Sequence, residues 1–175
     1  QIYTVGGYVR DMLLRQAGHD VPAGGDRDWV VVGSTPEEML ERASPPSART
    51  SLYFFTRRRM RNMRSPVLSE KPPAATMVVF HTDPGVTLEE DLKRRDLTIN
   101  AMAYSPATGI IDPFGGQEDL KNEIIRCVGD PHKRFSEDAL RLMRTIRFAA
   151  VLGFTVEPET LRAVHDLHET IGRVA

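Results

Sequence analysis

The chain has 175 residues, enough for one ordinary core or a core with a short appendage; 41% are hydrophobic and 27% charged, which excludes a disordered polymer. A net charge of −1 excludes nucleic-acid binding driven by bulk charge, so any RNA contact must come from local clusters. One cysteine, Cys127, excludes an intrachain disulfide and fits a reducing, cytoplasmic compartment, and no apolar run nears the ~18 residues of a membrane span.

In chain order, Ile2 to Val5 reads as a short strand and Gly6-Gly7 as a turn. Tyr8 to Leu14 reads as a helix with Val9, Met12 and Leu13 on one face. A glycine-containing loop runs from Gly18 to Gly25, and Asp28 to Val32 is a β-rich run expected to form a buried strand. Thr35 and Pro36 mark a helix start, with acids in the first turn. Thr76 to His81 is a further apolar strand candidate, and Thr87 to Asn100 is charged before turning apolar at Leu97. Ile110 to Gly116 predicts a strand end and a turn, Gln117 to Asn122 a short helix, and Ile124 to Val128 a strand. Ser136 is the expected cap of a helix from Glu137 to about Leu152, ended by Gly153. Pro158 opens another, from Glu159 to about Ile171. The character of the chain changes near residue 130, from a mixed α/β unit to an all-helical one. The chain opens on Gln1 and stops in a helical pattern at Ala175, so a fragment is expected.

The chemistry concentrates in four places. Gly6-Gly7 lies between a strand and a helix, where backbone can approach a phosphate at a helix N-terminus, with Arg10 one turn further on. An ordinary strand-helix turn has the same look. Asp26 and Asp28 are i and i+2 of an expected strand, so both carboxylates face one side and suit hard cations such as Mg²⁺. Two metals held there activate a hydroxyl and stabilise a leaving pyrophosphate; the bland alternative is a solvated Asp-Arg-Asp loop. Asp91 to Asp96 is a basic triplet between acids, a pattern that is usually a plain exposed surface; the apolar Leu97-Thr98-Ile99-Asn100 that follows can instead turn one arginine inward. Asp138, Arg141 and Arg144 are three apart on one expected helix, presenting acceptors beside fixed donor forks suited to a base edge and to phosphates. A salt-bridge ladder is the competing reading. The five histidines show no metal spacing with Cys127.

These segments, in this order and with Ile111 to Gly116 (IDPFGG), resemble the class II bacterial tRNA nucleotidyltransferase and poly(A) polymerase family, closest to CCA-adding enzymes. The resemblance implies an α/β fold: a nucleotidyltransferase head with a mixed sheet and flanking helices, then the start of an all-helical neck. The head would span residues 1–130 and a truncated neck residues 131–175. It implies that Asp26 and Asp28 hold the metal, Mg²⁺, and are catalytic. It places Gly7 and Arg10 at phosphate-binding positions and Arg95 at a nucleotide contact. Asp138 and Arg141 match a protein template that reads CTP or ATP, and Arg144 and Arg147 match further nucleotide contacts. The implied reaction adds CMP and AMP to the tRNA 3′ end and releases pyrophosphate. The alternatives are a poly(A) polymerase, an A- or CC-adding enzyme, or an inactive nucleotide- or RNA-binding fragment. The body and tail that grip tRNA in the family are absent from the sequence.

Residues 44–79 depart from the family pattern. Ser44 to Ser69 contains no acid and six arginines, Arg49, Arg57, Arg58, Arg59, Arg61 and Arg64. One reading is a basic RNA-binding arm. The other is a pair of compensating frameshifts: read one base out of frame, Thr50 to Thr56 can encode the family-like DFPVFLH and Arg61 to Lys71 can encode EEYALARTERK. Arginines where alternating apolar residues should pack predict a poorly ordered segment over about residues 44–75 and an impaired head.

Overall fold

A computed structural model describes residues 1–22, 27–33, 50–54, 79–80 and 87–173. The centre is a mixed sheet in the order β4-β3-β2-β1-β5-β6, made of Ile2–Val5 (β1), Arg27–Val31 (β2), Thr50–Phe54 (β3), Val79–Phe80 (β4), Ala103–Ser105 (β5) and Gly109–Ile111 (β6). β1 is antiparallel to both β2 and β5, whereas β3 runs parallel to β2 and β4 parallel to β3. The register sets Val5 opposite Asp28, so the end of β1 leads into the glycine turn beside the acidic start of β2.

Helix α1 (Gly7–Gln16) packs against β1 and β2. Its Val9 is buried and Met12 and Leu13 partly so, as the apolar spacing predicts, and Leu14, outside that expected face, is buried as well. Helix α2 (Leu88–Lys93) begins at a capping box: Thr87 Oγ1 accepts from the Glu90 amide at 3.2 Å, and Glu90 Oε2 accepts from the Thr87 amide at 2.8 Å. A short 3₁₀ turn, Thr98–Asn100, follows, then α3 (Gly116–Lys121). Asp112 starts α3 by accepting from the Gly116 amide at 2.8 Å and the Gln117 amide at 2.9 Å. A Cβ on Gly116 would meet the Thr98 carbonyl at 2.3 Å. The Ile111-to-Gly116 motif is therefore a buttress for the 3₁₀ turn.

The helical part differs from its expected outline. Residues 131–152 form two helices, α4 (Pro131–Glu137) and α5 (Ala139–Leu152), with Asp138 extended between them at φ −155°. The cap of α5 is Asp138, not Ser136: Asp138 Oδ1 accepts from the Leu140 amide at 2.9 Å, while Ser136 Oγ donates to the His132 carbonyl. Asp130 caps α4 through the Lys133 amide, with Pro131 at the first helical position. Gly153, at φ +71°, ends α5. The expected strand over 124–128 shortens to Ile124–Ile125 (β7), which pairs in parallel with Thr155–Val156 (β8); Cys127 instead makes an isolated antiparallel bridge to Leu97. Helix α6 (Pro158–Leu167) continues as a 3₁₀ helix to Arg173.

Of the segment expected to lack order, residues 50–54 form β3; Leu52, Tyr53 and Phe54 are good strand formers, and this local preference overrides the disturbed pattern there. The rest of that segment, the helix start at Thr35 and most of the strand expected over Thr76–His81 lie outside the described residues.

Among the described residues three buried clusters hold these pieces. One joins Val9, Leu14, Leu97, Ile99, Met102, Leu120 and Ile125 to Phe154, with Phe148, Ala149 and Leu152 packed against it. The α/β part and α5 thus share a core, at ~1.5–3 kcal/mol for each large apolar side chain fully buried. A second cluster lines the sheet around Val5, Val30 and Leu92, and a third joins Phe135, Leu142 and Ala163.

Glu157 caps α6, accepting from the Glu159 amide at 3.1 Å and the Thr160 amide at 2.8 Å. Burial pushes this carboxyl up, but the hydrogen bonds from Thr160 and Glu159 and the nearby Arg126 outweigh it, so it titrates below its ordinary range. Its contribution is complete above the ordinary glutamate value and is lost as pH falls through the depressed one. Glu157→Ala is expected to cost about 1 kcal/mol at neutral pH. Urea melts at pH 7 and pH 3 check this: the difference between variant and parent should shrink at the lower pH.

Candidate nucleotide-binding site

The site is built around the turn from β1 to α1. Gly6 lies at φ +69° and ψ −135°, outside the regions open to a side chain. A Cβ there would stand 2.6 Å from Arg95 Nη1 and 3.7 Å from Asp28 Oδ2. Turn backbone, guanidinium and carboxylate, from three separate parts of the chain, therefore occupy one small volume. The Gly6 amide donates to the Met102 carbonyl at 3.1 Å, which ties the turn to the residue preceding β5. Gly7 is the first residue of α1, whose first turn holds no acid, so its terminus keeps the partial positive charge that suits an anion.

Arg10 points back toward the turn. Its Nε donates to Asp11 Oδ1 at 2.8 Å and its Nη1 to Asn100 Oδ1 at 2.7 Å. Asn100 is 4% exposed, and its Nδ2 has no hydrogen-bond partner among the described residues. Arg95 is half-buried, with Nη2 3.4 Å from Asp91 Oδ2 and Nε lacking a partner among the described residues. Asp91, 1% exposed, also accepts from Arg94 at 2.6 Å, so one buried carboxylate anchors both arginines of the basic triplet.

Arg134, from α4, lies across the end of α2 and donates to the carbonyls of Arg94 and, at 2.7 Å, Arg95. A cation there satisfies carbonyls that the helix leaves open. Asp96 then accepts from Arg144 of α5 at 2.5 Å and from the Leu97 amide at 2.9 Å. The helical part is thus fastened to the segment that presents Arg95.

The expected stripe of Asp138, Arg141 and Arg144 does not form as a helical stripe, because Asp138 is extended and its carboxylate caps α5. Arg141 reaches back to Glu137 at 3.0 Å and to the Arg134 carbonyl at 3.2 Å. That hydrogen bond to Arg141 holds the Glu137 carboxyl below its ordinary range. Arg144 and Arg147 sit with Arg10 around Phe148. Asp26 lies outside the described residues.

Sequence reasoning missed Gly6 as the constrained glycine, together with Asp91, Asp96, Asn100 and Phe148. Asn100 had a signal: a polar residue inside the apolar run Leu97 to Met102. Burial pushes the Cys127 thiol up to about 11, which disfavours the thiolate at neutral pH.

Asp28 offers the hard oxygen donor that divalent metal ions take. Among the described residues no three His, Cys, Asp or Glu side chains converge. A metal bound through one or two carboxylates and completed by substrate phosphates needs no such cage, so the donor chemistry at Asp28 fits. No helix among the described residues is long and apolar enough to cross a membrane.

A glycine turn at a helix start, an inward arginine and a strand carboxylate on a mixed sheet define a nucleotidyltransferase-type head. Residues 2–126 match the Poly A polymerase head domain, and the chain belongs to that family. The Multifunctional CCA protein of Chromobacterium violaceum is 46% identical over 163 residues, covering 92% of this chain and 38% of the relative. The CCA-adding enzyme of Coxiella burnetii is 42% identical over 170 residues, covering 95% of this chain and 43% of the relative. Among solved structures, the Bacillus stearothermophilus CCA-adding enzyme in complex with CTP superposes with a TM-score of 0.71 at 33% identity, over 100% of this chain and 41% of that one. The chain therefore spans well under half the length of these relatives.

Proposed function

We propose that this chain is the head and first neck segment of a tRNA nucleotidyltransferase that adds CMP and AMP to the tRNA 3′ end from CTP and ATP. The observation that carries the reading is the convergence of Gly6, Arg95 and Asp28 at the mouth of α1. The names of the relatives and the CTP complex of the neighbour support it. Under this reading Asp28 and Asp26 hold Mg²⁺, which when bound supplies activation of the RNA 3′-hydroxyl and charge neutralisation of the leaving pyrophosphate. Gly7 lets the triphosphate approach the α1 terminus, and Arg10, Arg95, Arg144 and Arg147 bind and orient it. Asp138 and Arg141 present an acceptor and a donor fork to the base, Asp138 fixed by its role as cap. The head ends near residue 130, the neck follows, and the setting is cytoplasmic.

The test is incubation of the purified chain with tRNA lacking its terminal CCA, Mg²⁺, and labelled CTP or ATP, separately and together. Stepwise addition of CMP followed by one AMP is expected. Long runs of AMP from ATP alone would reassign the chain to poly(A) synthesis. No incorporation at any tRNA concentration, together with no binding of either triphosphate, would refute the reading.

A further inference from the structure

Three arginines from two parts of the fold meet on one aromatic ring. The guanidinium carbons of Arg10, Arg144 and Arg147 lie 4.9, 5.5 and 4.8 Å from the centroid of the Phe148 ring. Arg10 comes from α1 and the other two from α5. We propose that Phe148 is a positioning residue, whose ring gathers these three guanidinium groups into one cationic cradle for the polyphosphate of the incoming nucleotide. This rests on the nucleotidyltransferase reading and deepens it.

Three like charges brought this close repel one another, and the convergence needs an offset. Asp11 supplies one for Arg10 and Asp96 one for Arg144. Among the described residues Arg147 has no carboxylate partner, so the cluster carries one positive charge more than its carboxylates neutralise. The negative face of the ring draws each cation inward without neutralising it, which leaves the donors charged and available to phosphate oxygens. The ring is itself held, being half-buried and packed on the cluster of Leu97, Leu120 and Phe154 that joins α1 to α5. It thereby fixes the distance between the Arg10 side, next to the phosphate turn, and the α5 side. An aliphatic residue of similar volume would fill the same space yet offer the arginines no such face.

The test uses the whole chain with Phe148→Leu, Phe148→Tyr, and Phe148 replaced by mono-, di- and trifluorophenylalanine, which weakens the ring's negative face at nearly constant size. Equilibrium dialysis with labelled CTP, ATP and inorganic tripolyphosphate is the readout, with circular dichroism as the check on folding. Phe148→Leu is expected to lose about tenfold in affinity for all three probes. Phe148→Tyr should stay near the parent, and the fluorinated series should weaken stepwise while the melting temperature holds. Parent-like binding by Phe148→Leu, or a flat fluorinated series, overturns the inference while leaving the nucleotidyltransferase reading intact. A parent chain that binds none of the three probes overturns both.

Discussion

Replacing Asp28 by Ala is expected to leave the chain folded and to reduce nucleotide incorporation by at least about a hundredfold. The strand is held by its backbone ladder to β1, with Val5 opposite Asp28, and by parallel pairing to β3. The carboxylate is half-buried beside the Gly6 turn and Arg95, where an incoming triphosphate would bring its own negative charge. A divalent cation between the two anions offsets their repulsion, so loss of the carboxylate removes a donor from the metal's seat. Asp28→Asn keeps the shape, and its deficit should therefore be nearly as large as that of Asp28→Ala. Raising Mg²⁺ should recover part of the Asn variant's rate, since an amide oxygen remains a weak hard donor. Primer extension over a Mg²⁺ series, with circular dichroism alongside, checks this. Parent-like incorporation by either variant would remove Asp28 from the metal site.

What the sequence disclosed depended on how local the cause was. β1, α1 and β2 were legible because each is written in consecutive residues: an apolar strand, a double glycine, an amphipathic helix and a β-branched run. The placement of Arg95 was only half legible. The triplet Lys93-Arg94-Arg95 does not say which arginine turns inward; Asp91 holds both, and Arg134, some forty positions further on, fixes the backbone at the end of the helix through the Arg95 carbonyl. The break at Asp138 was hidden because Glu137 to Leu152 contains no Gly or Pro to mark an interruption. An aspartate there gains more as a cap, its carboxylate bonded to the Leu140 amide, than inside a continuous helix. Nothing in the sequence neighbours of Phe148 announces that an arginine from α1 meets the same ring.

The two glycines of the turn should respond very differently to a methyl group, and the contrast tests the geometry of the whole site. Gly7→Ala puts a Cβ 3.5 Å from Arg10 Nη2, an ordinary contact with the end of a flexible side chain, at a helical position where alanine is favoured over glycine. Its melting temperature should stay within a few degrees of the parent. Gly6→Ala meets two obstacles at once. Its backbone, at φ +69° and ψ −135°, costs about 1–3 kcal/mol for a residue with a side chain. Its Cβ would also fall 2.6 Å from Arg95 Nη1, so that guanidinium must leave its place between Asp91 and the turn. The freedom to move is small, because the Arg95 carbonyl is held by Arg134 and the next residue, Asp96, by Arg144. The strain alone predicts a melting temperature lower by roughly 2–12 °C for a chain of this size. The displaced arginine predicts a further loss of at least about tenfold in triphosphate affinity, the value of one charge-assisted contact. Thermal melts and equilibrium dialysis with labelled CTP separate the two effects. A Gly6→Ala variant that melts low yet binds CTP like the parent would show that Arg95 has another place to stand, and that the turn serves folding more than the nucleotide.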